Sequence, residues 1–343
     1  MFKSPDLNIH TEIAFCILNI AFSFLLIIYL NMSKIKKVFI TGANGFAGLY
    51  LIDLLLEKKN LKIIGTYRKK IPKMYKKKIF WEKCDLLEIK QIQKILKRHK
   101  PDQIYHLAAV IGVKKLQHNP IPAFKSNILG TANLLQAVAE TIPKAKILNV
   151  GSAEEYGKVK IMPIKENAHL IPYTAYGLSK KIQEEVAEFY EKNFNLDIVY
   201  SRTFHYTGPG QPLGFVFIDL ISQIIKLEKQ VRKEIQVGNL SAKRDFSDIR
   251  DIVSAYYFLI QKGKKGEKFN VCSGTSRSIR KFLDIMLNSC NHKIKVTIDP
   301  EKIRKVDVPN FVGDNTKLRK LGWRPKYRIE TTIEDIFNFL KIR

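Results

Sequence analysis

Thr41-Gly-Ala-Asn-Gly-Phe-Ala-Gly48 is the stretch that decides the fold of this chain. It follows a short β-branched run and precedes an amphipathic one, so it is predicted to join a strand to a helix. In such a loop Gly42 permits a tight turn, Gly45 lets the backbone approach a pyrophosphate, and Gly48 allows close packing of helix on strand. The N–H groups at the start of the following helix favour phosphate. The stretch therefore predicts a dinucleotide-binding turn.

On either side of this loop, short β-branched runs alternate with longer amphipathic stretches, which is typical of a parallel sheet with crossover helices. The predicted strands are Val38–Thr41, Lys62–Thr66, Ile79–Cys84, Gln103–Leu107, Lys146–Val150 and Ile198–Arg202. The predicted helices are Ala47–Glu57, Ile89–Arg98, Ala123–Glu140 and Gly177–Asn193.

After about residue 203 the pattern changes, because loops with glycine and proline separate isolated helices such as Asp251–Gln261 and Ser278–Asn288. We therefore predict an α/β fold of two parts. Residues 35–203 form a Rossmann-like, doubly wound parallel sheet that binds a dinucleotide. Residues 204–343 form a smaller C-terminal substrate-binding lobe, interleaved with the first part.

The composition narrows the classes of partner. The chain has 343 residues, of which 45% are hydrophobic, so it can bury a full core and is not a disordered protein. Its net charge of +27 favours anionic partners. The lysines are dispersed and form no long basic run, so no nucleic-acid partner is predicted. The four cysteines form no CxxC pair and have no histidine at zinc spacing, so no metal site is predicted.

The first 32 residues allow two interpretations. Ile13–Leu30 carries no charge and is slightly shorter than the roughly 20 apolar residues that cross a bilayer. Lys34, Lys36 and Lys37 follow it, which would leave the rest of the chain on the cytoplasmic side. Residues 1–32 are then a membrane anchor, or an extension upstream of a true start at Met32. Both interpretations place the globular part in the cytoplasm.

The second predicted strand ends in Gly65-Thr-Tyr-Arg-Lys-Lys70. Sites that prefer NAD often place a carboxylate here for the ribose 2′-hydroxyl. This chain has none, and Arg68 with Lys69 suits a 2′-phosphate through charge-assisted hydrogen bonds. NADP(H) is therefore the predicted cofactor. NAD(H) is the alternative, if Arg68 only lies over the adenine.

Tyr176-Gly-Leu-Ser-Lys180 places a phenol and an ammonium group four residues apart, on one face of a helix. A tyrosine with an ordinary pKa of about 10 is a poor base, and a neighbouring lysine cation favours its phenolate form. Ser152, at the end of the fifth predicted strand, could hydrogen-bond the same substrate oxygen. These three residues behind a glycine-rich cofactor loop predict proton transfer coupled to hydride transfer.

From about Lys36 to the C-terminus the chain resembles the extended short-chain dehydrogenases/reductases that act on nucleotide sugars. The segments that carry the likeness are His106-Leu-Ala-Ala109, Asn127-Ile-Leu-Gly-Thr131 and Gly151-Ser-Ala-Glu-Glu-Tyr-Gly157. Gly238-Asn-Leu-Ser-Ala-Lys-Arg-Asp245 is similar to a signature of enzymes that handle GDP-mannose derivatives. Two more segments resemble the GDP-4-keto-6-deoxy-D-mannose reductases more than the GDP-mannose 4,6-dehydratases: Arg202-Thr-Phe-His-Tyr-Thr-Gly-Pro-Gly-Gln211 and Asn270-Val-Cys-Ser-Gly274.

The resemblance implies that Ser152, Tyr176 and Lys180 are the catalytic residues of a reductase that acts on a GDP-linked 4-keto-6-deoxy sugar. It implies a homodimer. It also implies a set of residues around the cofactor: Gly42, Gly45, Phe46, Gly48, Arg68, Asp85, Leu86, Leu107, Ala108, Ala109, Asn127, Tyr176 and Lys180.

On the substrate side, the resemblance implies that Arg244 and Arg304 reach the GDP phosphates, with Asn239 nearby. His205 stands where these reductases usually carry an asparagine that touches the nucleotide sugar. Glu154 keeps a second activity open, because dehydratases of the wider family use a carboxylate at this place to remove the C5 proton. Dehydratases commonly carry threonine in place of Ser152. A non-catalytic dinucleotide sensor or scaffold is the alternative of another class.

Overall fold

The computed structural model describes residues 14–22, 35–72, 75–112, 116, 118–227, 234–289, 294–303 and 308–342. Only part of the predicted anchor lies in these ranges: residues 14–22 form a short helix with exposed side chains. The remainder of Ile13–Leu30 lies outside the described residues. In the described ranges, no helix has both the length and the apolar character needed to span a bilayer.

The strands of the described ranges are β1 (Lys36–Thr41), β2 (Leu61–Tyr67), β3 (Phe80–Lys83), β4 (Gln103–His106), β5 (Lys146–Ser152), β6 (Asp197–Thr203), β7 (His205–Thr207), β8 (Glu234–Val237), β9 (Lys243–Asp248), β10 (Lys268–Val271), β11 (Ser276–Ser278), β12 (Lys295–Ile298) and β13 (Asn310–Phe311). The helices are α1 (Phe46–Leu56), α2 (Ile89–His99), α3 (Gly130–Thr141), α4 (Ala175–Asn193), α5 (Val216–Leu227), α6 (Ile249–Lys262), α7 (Ile279–Asn288), α8 (Thr316–Lys320) and α9 (Ile329–Lys341). A helical turn (Ile121–Ala123) and a π-helical segment (Phe124–Leu129) lead into α3.

Seven parallel strands form the main sheet in the order β10-β6-β5-β4-β1-β2-β3. The predicted Rossmann-like fold is therefore confirmed, and the six predicted strands are all present. The strand order reverses between β1 and β4, and ligands of such sheets bind outside the carboxyl ends of the strands at this point. The glycine-rich loop follows β1 at that crevice.

The side chains of the central strands point alternately to the two faces of the sheet, and each face is covered by one hydrophobic cluster. Val38 and Ile40 of β1 pack in the cluster that includes side chains of α1 and α6, whereas Phe39 joins the cluster with α2, α3 and α4. Because successive side chains of a strand point to opposite faces, one apolar strand anchors both layers. This double burial fixes β1, and with it the loop that follows.

The smaller lobe begins at the carboxyl end of the main sheet. β7 starts at His205, one residue after Phe204, and pairs with β9, which also pairs with β11 and β13. α5, α7 and α9 pack together over a third hydrophobic cluster. After β9, however, the chain returns to the main sheet, because α6 packs against α1 and β10 pairs with β6. Residues 249–271 thus pack with the main sheet and not with the smaller lobe.

Candidate active site

The glycine-rich loop is shaped by close backbone approaches. Gly42 has φ +69°, and a Cβ there would lie 2.8 Å from the Cα of Ala108. A Cβ on Gly48 would lie 2.5 Å from the carbonyl oxygen of Gly42. Gly45 is the N-cap of α1 and provides no side-chain hydrogen bond to the first turn. A loop of bare backbone at a helix N-terminus fits the pyrophosphate of a dinucleotide.

The other predicted cofactor residues follow the carboxyl ends of neighbouring strands. Arg68 is exposed directly after β2, and Asp85 and Leu86 come shortly after β3. The segment 107–109 follows β4. The structure therefore brings the adenosine-side and nicotinamide-side candidates to one edge of the sheet.

Asn127 lies beneath this edge rather than on its surface. It is fully buried, and its side chain accepts a hydrogen bond from the Val110 N–H at 2.7 Å. It also donates to the Val110 carbonyl at 3.2 Å and to the Ser179 hydroxyl at 2.9 Å. Asn127 belongs to the π-helical segment, a feature common at functional sites. It therefore ties the loop after β4 to α4, which carries Tyr176.

Ser152 and Tyr176 meet because α4 begins very close to the turn after β5. Thr174 caps α4 by accepting a hydrogen bond from Gly177 N at 2.9 Å. A Cβ on Gly177 would lie 2.5 Å from the Glu154 carbonyl oxygen, so glycine is needed for this approach. The Ser152 hydroxyl thereby comes close enough to the Tyr176 phenol to lower its pKa, against the larger effect of burial.

The two titratable groups of the helix have shifted pKa values. Burial, and then the nearby phenol of Tyr206, raises the pKa of Tyr176 well above that of a free tyrosine. Burial lowers the pKa of Lys180 to about 8. The Lys180 ammonium donates to the Val150 carbonyl and to Gln183 Oε1, both at 2.6 Å.

The effect of Lys180 on the Tyr176 phenol stays a prediction. In this structure desolvation has the largest effect on that pKa and favours the neutral phenol, while the Lys180 ammonium group is hydrogen-bonded to the Val150 carbonyl. A neutral phenol can donate a proton.

Glu154, the predicted base of the dehydratase alternative, lines one cleft together with two predicted substrate residues, His205 and Arg244. Its other lining residues are Gly157, Tyr173, Val308 and Phe311, which sequence reasoning missed because they lie on separate loops and one short strand. The His205 ring lies 5.9 Å from that of Phe311 and 5.3 Å from that of Phe246, measured between ring centroids.

The remaining substrate candidates are placed differently. Asn239 lies in the loop between β8 and β9, where its side-chain oxygen accepts hydrogen bonds from Ser241 N at 3.0 Å and Ser241 Oγ at 2.8 Å. Arg304 lies outside the described residues. Arg244 donates to the Val308 carbonyl at 2.7 Å, which holds it at the cleft wall. In the described ranges, no group of three or more acidic, histidine or cysteine side chains could hold a metal ion.

Residues 39–336 match the sequence profile of the family described as GDP-mannose 4,6 dehydratase. The chain belongs to this family. It is 27% identical over 307 residues to GDP-6-deoxy-D-mannose reductase of Pseudomonas aeruginosa, covering 88% of this chain and 96% of that protein. It is 29% identical to GDP-6-deoxy-D-talose 4-dehydrogenase of Aggregatibacter actinomycetemcomitans, covering 82% of this chain and 90% of that protein.

Among solved structures, this family member is similar to RMD of Pseudomonas aeruginosa in complex with NADPH. The TM-score is 0.80 at 27% identity, and the match covers 90% of this chain and 99% of that one. The named relatives within the family are reductases, dehydrogenases and dehydratases of GDP-sugars. The predicted assignment to NAD(P)-dependent nucleotide-sugar enzymes is thus confirmed, and the alternative of a non-catalytic scaffold has no support.

Proposed function

We propose that this protein reduces the 4-keto group of a GDP-linked 4-keto-6-deoxy hexose with NADPH, to give a GDP-6-deoxyhexose such as GDP-D-rhamnose. One observation carries the proposal: Tyr176 lies at the start of α4, where Gly177 packs against the Glu154 carbonyl, so its phenol lies beside Ser152 at the carboxyl edge of the sheet that also carries the glycine-rich loop. A reduction needs a proton donor at this place, because the carbonyl oxygen gains negative charge as it is reduced.

Three side chains have separate roles in the proposed reaction. NADPH, when bound, supplies the hydride. Tyr176 donates its hydroxyl proton to the developing alkoxide, and Ser152 Oγ orients the carbonyl oxygen. Lys180 holds a positive charge beneath the site and would bind the ribose of the cofactor. A well-placed general acid contributes about 10²–10⁴-fold to the rate.

The residues that line the cleft support the proposed substrate. The planar guanidinium of Arg244 at its wall suits the oxygens of a diphosphate, and we propose the same role for Arg304, with Asn239 nearby. His205 and Glu154 line the part of the cleft where a hexose would reach Tyr176. Relatives named as a 6-deoxymannose reductase and a 6-deoxytalose 4-dehydrogenase support a GDP-linked 6-deoxyhexose as substrate.

A second candidate is the 4,6-dehydratase reaction on GDP-mannose. Glu154 lines the cleft, and its carboxylate accepts a hydrogen bond from Thr174 at 3.2 Å. It also lies near enough to Tyr176 to raise the pKa of that phenol. A carboxylate base is therefore present beside the acid, as removal of a C5 proton would require.

Two incubations separate these candidates. We expect the protein to oxidise NADPH only when GDP-4-keto-6-deoxymannose is supplied, and to leave GDP-mannose unchanged without reductant. The Glu154→Gln variant should then retain at least about a tenth of the reductase activity, because reduction needs no C5 base. Accumulation of a 4-keto-6-deoxy product from GDP-mannose alone, abolished by Glu154→Gln, would assign the dehydratase reaction instead.

Arg68 is proposed to set the preference for NADPH. Replacing it with serine is expected to raise the KM for NADPH about tenfold and to leave the KM for NADH nearly unchanged, because one charge-assisted hydrogen bond to the 2′-phosphate is lost. Steady-state kinetics with both cofactors measure this, with Lys70→Ser as the control on the same exposed segment. Equal effects on both cofactors would refute the role.

We also propose a homodimer. Large apolar side chains are exposed on α4, just beyond its end, and on the segment before α3. They are Ile121, Leu129, Leu178, Phe189 and Phe194, each 39–56% exposed. Such a face is typical of a subunit contact. Light scattering in solution should give twice the 39.6 kDa chain mass, and a monomer at micromolar concentration would contradict the proposal.

A further inference from the structure

A buried carboxyl group follows the cleft residue Arg244 in β9. Asp245 is 0% exposed, and each of its two oxygens accepts two hydrogen bonds. Oδ1 accepts from Ser273 N at 3.0 Å and from Ser273 Oγ at 2.5 Å. Oδ2 accepts from Gly274 N at 3.0 Å and from Gly313 N at 3.3 Å. All four donors are neutral groups, and three of them are backbone N–H groups.

The residues that line the cleft come from two parts of the chain. Three of them lie between β5 and α4: Glu154, Gly157 and Tyr173. The other four belong to the sheet of β7, β9, β11 and β13 or to the segment that leads into β13: His205, Arg244, Val308 and Phe311. His205 pairs with Phe246 of β9, and Phe311 pairs with Arg244. The second wall of the cleft is therefore assembled on β9.

The four hydrogen bonds of Asp245 fasten this second wall to the main sheet. The loop that carries Ser273 and Gly274 follows β10, the edge strand of the seven-stranded sheet. Gly313 comes two residues after the end of β13. The packing at this point is tight, because a Cβ on Gly313 would lie 2.6 Å from the Cys272 sulfur. One carboxyl group thus joins β9, the end of β10 and the segment after β13.

The ionised form of Asp245 suits this place, because a carboxylate accepts hydrogen bonds at both oxygens and donates none. Burial raises the pKa of Asp245 to about 6, although the hydrogen bonds from Ser273, Gly313 and Gly274 act to lower it. At about pH 7.5 the group is therefore a carboxylate. An asparagine here would turn its NH₂ group toward two of the four donors in either orientation, so two hydrogen bonds would be lost.

We propose that Asp245 is a positioning residue for the nucleotide sugar, which fixes the β9 sheet against the end of β10 and so sets the place of Arg244 and Phe311 in the cleft. The proposal rests on the binding of a GDP-linked sugar in this cleft, as proposed above. Asp245 is not among the residues that line the cleft, so it acts through its neighbours. Its replacement should affect substrate binding more than chemistry, because the proposed catalytic residues belong to β5 and α4.

The Asp245→Asn variant of the full chain tests this role by direct binding. At about pH 7.5 the Kd for GDP, measured by titration calorimetry, should rise about tenfold or more, while the Kd for NADPH stays within about twofold. In the reduction assay, the KM for the keto sugar should rise by a similar factor and kcat should stay within about threefold. A purely structural defect would instead lower the fraction of active protein and affect both ligands alike.

The matched control is Asp251→Asn, which alters another buried acceptor of backbone N–H groups. Asp251 is 2% exposed and accepts from Lys326 N at 2.8 Å and from Tyr327 N at 3.0 Å, and it does not line the cleft. Both variants should lower Tm, because each leaves buried donors without an acceptor. Only Asp245→Asn should change the Kd for GDP by more than about twofold.

The Ser273→Ala variant keeps the proposal testable if Asp245→Asn does not fold. It removes one of the four donors and leaves the three backbone hydrogen bonds, so the Kd for GDP should rise about threefold. An unchanged Kd for GDP in folded Asp245→Asn, or an equal loss of GDP and NADPH binding, would overturn the proposal. If that variant is unfolded, an unchanged Kd in Ser273→Ala would overturn it. Absence of reductase turnover, with the GDP effect intact, would refute the proposed reduction alone.

Discussion

Replacing Tyr176 with phenylalanine is expected to lower kcat by about 10²–10⁴-fold and to change the substrate KM by less than about threefold. The ring keeps its packing at the start of α4, but the hydroxyl that donates the proton and contacts Ser152 is lost. Stopped-flow and steady-state oxidation of NADPH with the keto sugar measure the effect. The loss falls on kcat because the proton moves only in the transition state.

The matched control is Tyr190→Phe on the same helix. The Tyr190 hydroxyl donates to Gln136 at 3.0 Å, away from the cleft, so its loss should leave kcat within about twofold. If Tyr176→Phe retained more than about a tenth of the activity while folded, another group would have to be the acid. The proposed roles of Tyr176 as proton donor and of Ser152 as the group that orients the carbonyl would then be wrong.

Replacing Arg202 with methionine is expected to lower the free energy of unfolding by about 3–5 kcal/mol. The Arg202 side chain is 3% exposed and forms two hydrogen bonds with the equally buried carboxylate of Glu184. It is also the guanidinium nearest to Glu155 Oε2. Methionine fills a similar volume but leaves Glu184 with Lys268 alone, at 3.0 Å, and removes the cation nearest to Glu155. Loss of a partner from a buried charge is strongly destabilising.

Urea unfolding followed by circular dichroism measures this change. Arg98→Met is the control, since the Arg98 side chain is 54% exposed where it pairs with Glu82 at 3.0 Å. A surface pair of this kind contributes about 0–1 kcal/mol. Similar small losses in both variants would show that the buried network is not needed for folding.

Much of this site could be predicted because its residues lie in short sequence motifs. The glycines at 42, 45 and 48 act within one loop, and a Tyr–Lys pair four residues apart shares a helix face wherever that helix lies. The strands around them are apolar on both faces, so their positions were also evident. The π-helical segment around Asn127 is an exception, because the sequence predicted a helix there but neither this form nor the hydrogen bonds of Asn127 to Val110 and Ser179.

The features that the local sequence pattern could not predict depend on contacts between residues far apart in the chain. β10 has four residues and no distinctive composition, and it becomes the seventh strand only because β6 has an open edge there. The cleft around Glu154 is completed by Val308 and Phe311, about 150 residues further along the chain. Pairing at such separations depends on which surfaces meet after folding, which no local periodicity encodes.

The protonation states of Tyr176 and Lys180 show most clearly which properties local sequence predicts and which only the folded structure determines. Local sequence predicted Tyr176 and Lys180 as the reacting pair, because that prediction needs only residue type and spacing. The direction of their pKa shifts follows from burial and from Glu155, Glu184 and Tyr206, which only the folded chain gathers around them. Desolvation is a property of the assembled environment, so the directions of these two pKa shifts required the three-dimensional structure.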